Sequence, residues 1–271
     1  MNDLQLEMNF NGDSGTNRLR QQLDQGEFVL LMECRSPGKD LDPAAAGERL
    51  AELEKQVFEI RSLPTALAVL DGGNSGEFWR AAEFAGALTP ENRDRHLFYI
   101  SGRNADAGIL REISGLALRS GVRNLIAVSG DAAKGEDLKA TRQRTFLEST
   151  EMLRMLGKSG EEMPSLLLGA AVNPFQYSAP SVFAQYTKLM KKLSAGSQLI
   201  VTQAGWDMLK LQALRWYLCG RNCFVPTIAR LILLTPERVE KILAGQEPGV
   251  NISKDFRKIL DQELRFSRTQ F

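Results

Sequence analysis

Short apolar segments alternate with longer helical patterns along most of this 271-residue chain, and this alternation constrains the fold more than any other feature. Regular alternation of this kind implies parallel strands joined by right-handed crossovers. Seven or eight such units in about 250 residues favour a closed (β/α)8 TIM barrel over a doubly wound open sheet. The first predicted strand lies within Phe28–Pro37, and the others are Ala66–Leu70, His96–Ile100, Asn124–Val128, Leu166–Ala171, Leu199–Thr202 and Phe224–Ile228.

The helical patterns divide the chain into a short leading part and one long domain. We expect residues 1–26 to form a polar tail and a short helix, and residues 27–271 to form a single barrel domain. The pattern weakens after Gly245, where no convincing eighth strand follows, so either the barrel closes irregularly or the natural chain continues beyond Phe271. Helices are predicted at Arg18–Gln25, from Asp42-Pro43 onward, and at Phe78–Leu88, Ala105–Arg119, Arg144–Leu156, Val182–Ala195, Met208–Leu218, Glu237–Ala244 and Asp255–Leu264.

The charge and cysteine content exclude several classes of function. The net charge of +1 and the scattered Lys and Arg residues give no reason to expect a nucleic-acid or membrane-surface partner. The N-terminus has acidic residues and no apolar core, so no secretory signal is expected and a cytoplasmic location is predicted. Three cysteines and one histidine favour free structural thiols and supply a zinc site poorly, so no metal is predicted.

Glu33 directly follows the apolar run at the start of the first predicted strand. A continuous apolar run predicts a strand that is buried on both faces, and a carboxylate there is costly unless it is paired or has a function. Burial raises the pKa of a carboxyl group and lets it hold a proton near neutral pH. Glu33 is therefore a candidate proton donor, and its structural alternative is an ion pair with Arg35.

Other candidates follow the remaining strands, because the working face of a parallel barrel lies at the carboxyl ends of its strands. The second strand leads into a GGNSG turn, whose backbone N–H groups could contact a phosphate or a flat ring, although such a turn can also be purely structural. This turn is the only support for a generic barrel enzyme that acts on a phosphorylated substrate. The polar residues that follow the third to sixth strands are Ser101–Arg103, Ser129–Asp131, Asn173 and Gln203.

Several of these segments, taken in order, resemble the methylenetetrahydrofolate reductase family over about Phe28 to Pro226. MECRSP is similar to the first-strand F-E-F-F-P-P of that family, GGNSGE to its G-A-N-S-G-E turn, and HLFYI to its H-L-T-C strand. The two most specific segments are GVRNLIAVSGD, which resembles G-I-R-N-x-x-A-L-R-G-D, and KKLSAGSQLIVTQAGWD, which resembles K-x-x-A-G-A-x-F-I-I-T-Q-x-x-F-D.

The resemblance implies an enzyme that reduces 5,10-methylenetetrahydrofolate to 5-methyltetrahydrofolate in one-carbon metabolism. The hydride would pass from NAD(P)H through a bound flavin, which is FAD, with FMN as the alternative. It further implies that Glu33 is the general acid that helps to open the folate ring, that Asp131 lies beside flavin and pterin, and that Gln203 binds the pterin. The implied flavin contacts are Asn74, Ser75, His96, Ser129, Gly130, Asp131, Ala171, Gln185, Lys188 and Lys192.

Departures from the family pattern lie mainly at the implied flavin contacts. Ser129 replaces an Arg that donates to flavin phosphates, and Val172 replaces a Tyr that contacts the flavin. NPFQY and the segment from Val225 to Val250 are more similar to a divergent bacterial and archaeal branch, whose members often pair with a small cysteine-rich protein. A homo-oligomer is also expected. The alternative function is a folate-binding component that lacks flavin and serves a methyl-transfer assembly.

Overall fold

The computed structural model describes residues 17–60, 62–63, 65–72, 77–130, 146–162, 165–247 and 249–269. The chain divides into two compact units. The first unit comprises Met1–Gly169 with Ala195–Ser197, and the second comprises Ala170–Ser194 with Gln198–Phe271. The predicted polar tail lies mostly outside the described residues, so the division into a tail and one barrel domain stays a prediction.

Strands and helices alternate as predicted. The seven strands follow one another in the sheet in sequence order, which confirms the predicted class of a (β/α)8 barrel that is irregular at its eighth position. The strands are β1 (Leu30–Arg35), β2 (Thr65–Leu70), β3 (Leu97–Ser101), β4 (Asn124–Val128), β5 (Leu167–Val172), β6 (Leu199–Ala204) and β7 (Thr227–Arg230). The α-helices are α1 (Arg18–Asp24), α2 (Pro43–Phe58), α3 (Ala107–Arg119), α4 (Ser149–Glu162), α5 (Ala179–Ser194), α6 (Met208–Cys219), α7 (Pro236–Leu243) and α8 (Lys254–Thr269).

The strand pairs with a defined register are parallel. In the first unit β1 pairs with β2, β2 with β3, and β3 with β4, with Leu97 opposite Asn124 in the last pair. In the second unit β6 pairs with β7, and the register shifts between Val201 and Ala204. This shift places Arg230, the last residue of β7, opposite Ala204. Parallel pairing brings the carboxyl ends of neighbouring strands to one edge of the sheet, where candidate site residues are expected.

Acidic and hydroxyl side chains begin several helices. Asp42 accepts hydrogen bonds from the N–H groups of Ala44 and Ala45 at the start of α2, with Pro43 in the first helical position. Asp106 and Asp207 cap α3 and α6 in the same way. Such caps satisfy N–H groups that have no partner within the helix, and Pro is favoured at the first position because it has no N–H. These local signals explain why the predicted starts of α2 and α6 agree with the structure, whereas the helix predicted from Arg144 begins only at Ser149.

The helix predicted at Phe78–Leu88 is wrong in type. The segment forms 3-10 helices at Ala81–Ala87 and Pro90–Asn92. No side chain caps the first of these, and the N–H of its first residue is bound by Asp71 at 3.2 Å. A tertiary contact therefore fixes the start of this segment, and the apolar spacing alone could not reveal it.

The first strand also differs from its prediction. Phe28 and Met32 are 68% and 42% exposed, and Glu33 is exposed as well. The strand is the first in the sheet order, whereas the apolar residues of β2 and β3 are buried almost throughout. An apolar run predicts a strand, but it does not distinguish a central strand from an edge strand. The prediction that Glu33 is buried is therefore wrong.

The second unit has two apolar clusters. One joins α5, β6 and α6 through Tyr186, Ile200 and Leu218, and the other joins α7 and α8 through Ile242 and Leu260. After β7 the described residues contain these two helices and no further strand. In the described part of the chain, no helix has both the length and the apolar character needed to cross a membrane.

Candidate functional site

A buried ion pair organises the carboxyl ends of β2 and β3 in the first unit. Arg80 Nη1 lies 2.9 Å from Asp71 Oδ2, and the Asp71 side chain is only 1% exposed. The same carboxylate accepts hydrogen bonds from the N–H groups of Ser101 and Ala81. Arg80 also donates to the carbonyl groups of Ser101, Arg103 and Asn104. These contacts join the ends of the two strands. The polar groups of both side chains bind other groups of the protein.

The loops after β1 and β2 are joined by a second set of contacts. Ser36 Oγ donates to the Trp79 carbonyl at 2.7 Å and accepts from the Gly72 N–H at 2.9 Å. A Cβ atom on Gly72 would lie 2.3 Å from Phe78 Cβ and 2.6 Å from Ser36 Oγ, so only glycine fits here. The first glycine of the predicted GGNSG turn therefore has a packing function, while residues 73–76, including Asn74 and Ser75, lie outside the described residues.

Glu33 lies on β1 opposite Ala68 of β2 and is exposed to solvent. Its neighbour Cys34 is partly buried. Burial, together with the charge of Glu33, raises the pKa of the Cys34 thiol to about 11. The thiol therefore stays protonated near neutral pH and is a poor nucleophile.

Ser129 follows β4, as predicted, but its hydroxyl group binds the protein. The Oγ atom donates to Glu148 Oε2 at 3.1 Å and accepts from the Ser149 N–H at 2.9 Å, at the start of α4. Gly130 has a φ of +82°, which glycine adopts without steric cost. Asp131, which is predicted to lie beside flavin and pterin, lies outside the described residues.

His96, a predicted flavin contact, lies in the interior of the first unit. The residue precedes β3 and is completely buried, so it has no surface for a ligand to contact. The Leu67 N–H donates to Nδ1 at 3.0 Å, and Nε2 lies 2.8 Å from Glu54 Oε1. Because Nδ1 accepts, the proton of the neutral ring lies on Nε2 and is donated to Glu54. Both ring nitrogens therefore have structural partners.

Gln203 lies near the carboxyl end of β6 in the second unit and is partly exposed. Its Oε1 atom accepts a hydrogen bond from Arg230 Nη1 at 3.1 Å. The Arg230 backbone is fixed in turn, because its N–H donates to the buried Thr202 Oγ1 at 3.0 Å and its carbonyl accepts from the Gly205 N–H at 3.3 Å. The amide of Gln203 thus has one oriented end and still retains exposed surface.

A turn from the C-terminal part of the chain lies against the same amide. A Cβ atom on Gly249 would lie 3.1 Å from Gln203 Oε1 and 3.2 Å from its Cδ, and Gly249 has a φ of +71°. Asn173, which follows β5, donates from Nδ2 to the Gly249 carbonyl at 3.1 Å. Only glycine combines this backbone conformation with so close an approach. Asn173 and Gly249 therefore border Gln203 on a surface that a ligand can reach.

Tyr177 and Asp207 connect the starts of α5 and α6. Partial burial, the charge of Asp207 and its hydrogen bond to the phenol together raise the pKa of Tyr177 to about 12, against an opposing effect of the Ser253 N–H. Lys210 Nζ lies 5.1 Å from the centre of the Tyr177 ring. The phenol therefore stays protonated and acts as a hydrogen-bond donor to Asp207.

The predicted flavin contacts on α5 have different environments. Lys192 Nζ donates to the carbonyl of Ala171 at 2.7 Å, so both predicted residues of this pair are joined to each other. Gln185 is partly buried and Lys188 is exposed. In the described part of the chain, no group of three or more His, Cys, Asp or Glu side chains could hold a metal ion.

Sequence reasoning missed Arg80, Arg230 and Gly249. Arg230 was overlooked because the last strand was predicted to end at Ile228, whereas it ends at Arg230 itself. Had the strand end been placed correctly, the rule that selected Gln203 would have selected Arg230 too. Arg80 lies nine residues beyond Asp71 in the sequence, and no local pattern joins the two.

Residues 18–260 match the family model of methylenetetrahydrofolate reductase, and a comparison with curated proteins gives no match. The chain is similar to an uncharacterized protein from Clostridium thermocellum that binds two copies of 5-methyl-5,6,7,8-tetrahydrofolic acid, with a TM-score of 0.60 and 14% identity, over 93% of this chain and 87% of that one. It is also similar to 2,3-dimethylmalate lyase, a PEP mutase/isocitrate lyase superfamily member, with a TM-score of 0.50 and 9% identity over 95% and 99% of the two chains.

Proposed function

Because the chain belongs to the methylenetetrahydrofolate reductase family, we propose that it binds a reduced folate, with the Gln203 amide contacting the pterin ring. The observation that carries the proposal is the partly exposed Gln203 side chain at the end of β6, oriented by Arg230. An amide donates hydrogen bonds from its NH2 group and accepts them at its oxygen, so it can bind both an acceptor and a donor on the polar edge of a pterin. The folate-binding protein from Clostridium thermocellum, which shares the fold, adds support.

The test is a calorimetric titration of the purified protein with 5-methyltetrahydrofolate. We expect binding, and we expect Gln203→Ala to weaken it about 10-fold to 100-fold, since a lost hydrogen bond to a buried polar ligand group costs about 1–3 kcal/mol. Gln212→Ala is the matched control, because Gln212 is an exposed amide on α6 in the same unit. Equal affinities of the wild type and the Gln203→Ala variant would contradict the assignment of Gln203.

The fuller form of the proposal is reduction of the methylene bridge of 5,10-methylenetetrahydrofolate, with NAD(P)H as the electron donor. A proton delivered to one bridge nitrogen breaks its bond to the methylene carbon and leaves an iminium ion, which a hydride then converts to a methyl group. Glu33 keeps the role of proton donor that the family resemblance implies. It is a carboxyl group on β1 that solvent reaches, and a positioned carboxylic acid can serve as a general acid. Asp131 keeps its proposed role beside the pterin.

Three of the implied flavin contacts are engaged within the protein. Ser129 is bound to the start of α4, His96 has no exposed surface, and Lys192 is bound to the Ala171 carbonyl. FAD or FMN therefore remains a proposed cofactor whose contacts would have to come from other groups. The predicted homo-oligomer and small cysteine-rich partner likewise stay predictions.

The engagement of these three residues within the protein favours a second candidate, a folate-binding component without flavin that serves methyl transfer. The absorption spectrum of the purified protein separates the two candidates. The reductase requires a flavin spectrum, either as purified or after reconstitution with FAD or FMN, and folate-dependent oxidation of NAD(P)H. Folate binding by a colourless protein that cannot be reconstituted would support the second candidate and exclude the flavin-dependent one.

A further inference from the structure

The contact between Arg230 and Gln203 decides which way round the Gln203 amide faces. A guanidinium group only donates hydrogen bonds, so the atom 3.1 Å from Arg230 Nη1 has to be the amide oxygen, Oε1. The NH2 group consequently occupies the other position. An unrestrained amide could exchange these two ends by turning about its last side-chain bond, and the structure opposes that exchange.

Arg230 is held firmly enough to act in this way. Its backbone is bonded to Thr202 on one side and to Gly205 on the other. The register shift between Val201 and Ala204 brings Arg230 opposite Ala204, the residue directly after Gln203. The guanidinium therefore extends from a paired strand and not from a loose loop, and strands position functional groups more accurately than loops do.

Gly249 restrains the amide from a second direction. Its backbone approaches so closely that a Cβ atom would lie 3.1 Å from Oε1 and 3.5 Å from Nε2 of Gln203. Asn173 holds this turn through the Gly249 carbonyl. A close backbone on one side and a donor at one end leave the amide little freedom to rotate.

We propose that Arg230 is a positioning residue that sets the order of donor and acceptor on Gln203 and so selects rings with an oxo group at the recognised edge. This inference rests on the proposed folate binding. In such a ring a carbonyl acceptor lies beside a ring N–H donor, and these match the NH2 group and the free lone pair of Oε1. A 2,4-diamino ring offers an amino donor beside an unprotonated ring nitrogen, which is the reverse order. A site built to hydrogen-bond one order discriminates against the other, because polar groups are left unpaired.

Folic acid and its 2,4-diamino analogue aminopterin form a matched pair of probes that differ at this edge. Titrations at mildly alkaline pH, where the diamino ring is uncharged, give the ratio of the two dissociation constants. We expect the wild type to prefer folic acid by about 10-fold or more, since one hydrogen bond is worth about a factor of ten. In Arg230→Met the amide is free to turn, and the ratio should approach one. Arg215→Met, at an exposed arginine of α6, should keep the wild-type ratio.

The ratio distinguishes positioning from a general structural role. If Arg230→Met weakens both ligands equally and the ratio is unchanged, the proposal is overturned. If Arg230→Met does not fold, Gln203→Glu replaces it, because a carboxylate keeps the contact with Arg230 but donates no hydrogen bond. That variant should lose the preference, because an acceptor-only carboxylate meets one donor and one acceptor in either ring, and a persistent preference for folic acid would overturn the proposal. A wild-type protein that binds neither 5-methyltetrahydrofolate nor folic acid would instead refute the proposed function.

Discussion

The two units use polar side chains at their strand ends in opposite ways. In the first unit Asp71 and Arg80 form an ion pair with each other and hydrogen bonds with backbone groups of the neighbouring strand end. In the second unit Gln203 and Asn173 have protein contacts as well, yet both remain partly exposed. A charge that is buried at a strand end has to be fully paired. An uncharged amide can be held by one contact and still offer hydrogen bonds to a ligand.

This difference predicts that substitutions in the two sets of side chains affect different properties of the protein. We expect changes to the described strand-end pair of the first unit to act mainly on folding, and changes around Gln203 to act mainly on binding.

The largest effect is expected from Arg80→Met. The substitution leaves Asp71 buried without its cation and removes the donors to the carbonyl groups of Ser101 and Arg103. Breaking a buried pair by removing one partner costs about 3–5 kcal/mol. Urea unfolding should therefore show a free energy of unfolding lower by about that amount.

Lys258→Met is the control for this prediction. Lys258 and Asp255 form an exposed pair at 3.5 Å, with side chains 77% and 90% exposed. Exposed pairs contribute at most about 1 kcal/mol, so this variant should unfold close to the wild type. A similar small loss in Arg80→Met would show that the buried pair contributes little, and the contrast between the units would then disappear.

An intermediate effect is expected from Glu54→Gln and depends on pH. Burial raises the pKa of Glu54, but hydrogen bonds from His96 and Thr89 outweigh it and leave the pKa below its usual value. A lowered folded-state pKa contributes stability above the unfolded pKa of about 4.3, and this contribution is lost as the pH falls through the folded value. The variant should lose about 1 kcal/mol at neutral pH and show a shallower loss of stability as the pH falls below the unfolded pKa.

Glu52→Gln, at an exposed position of α2, should keep the wild-type pH dependence. The pKa of Asp94 is lowered by Arg18 against the effect of its own burial. Both variants should therefore still lose part of their stability at acid pH through Asp94. Denaturation curves at several pH values measure these slopes. Identical slopes for the wild type and Glu54→Gln would show that the buried contact with His96 contributes no charge-dependent stability.

The fold was largely predictable because its signals are local and repeated. Strand-length apolar runs and caps such as Asp42 and Asp207 occur in order along the chain, and each can be recognised without knowledge of the others. Exposure could not be predicted for β1, because the same apolar run suits an edge strand and a central strand. The 3-10 segment after Arg80 was missed because Asp71, which binds its first N–H, belongs to a different element.

The candidate site was predictable only in part, for a related reason. Gln203 could be identified as a polar residue at the end of an apolar strand. Its partners Arg230 and Gly249 lie 27 and 46 positions further along the chain (230 − 203 and 249 − 203), and only tertiary structure brings them together. For His96, at the start of its predicted strand, the resemblance implied a flavin contact, and only the tertiary structure shows that Glu54 and Leu67 lie at its ring nitrogens.

The smallest effect, and the sharpest test of the contrast between the units, is expected from Gly249→Ala. The added Cβ would lie 3.1 Å from Gln203 Oε1, so the amide has to shift by a few tenths of an ångström. We expect the affinity for 5-methyltetrahydrofolate to fall about 3-fold, which corresponds to about 0.6 kcal/mol. Gly245→Ala is closely matched, because Gly245 has a φ of +66° and nothing within 4 Å of its added Cβ. Both variants carry the strain of a left-handed alanine, about 1–2 kcal/mol, so both should lose stability alike. Only Gly249→Ala should lose affinity in calorimetry, and an equal loss of affinity in Gly245→Ala would show that general strain, and not the contact with Gln203, controls binding.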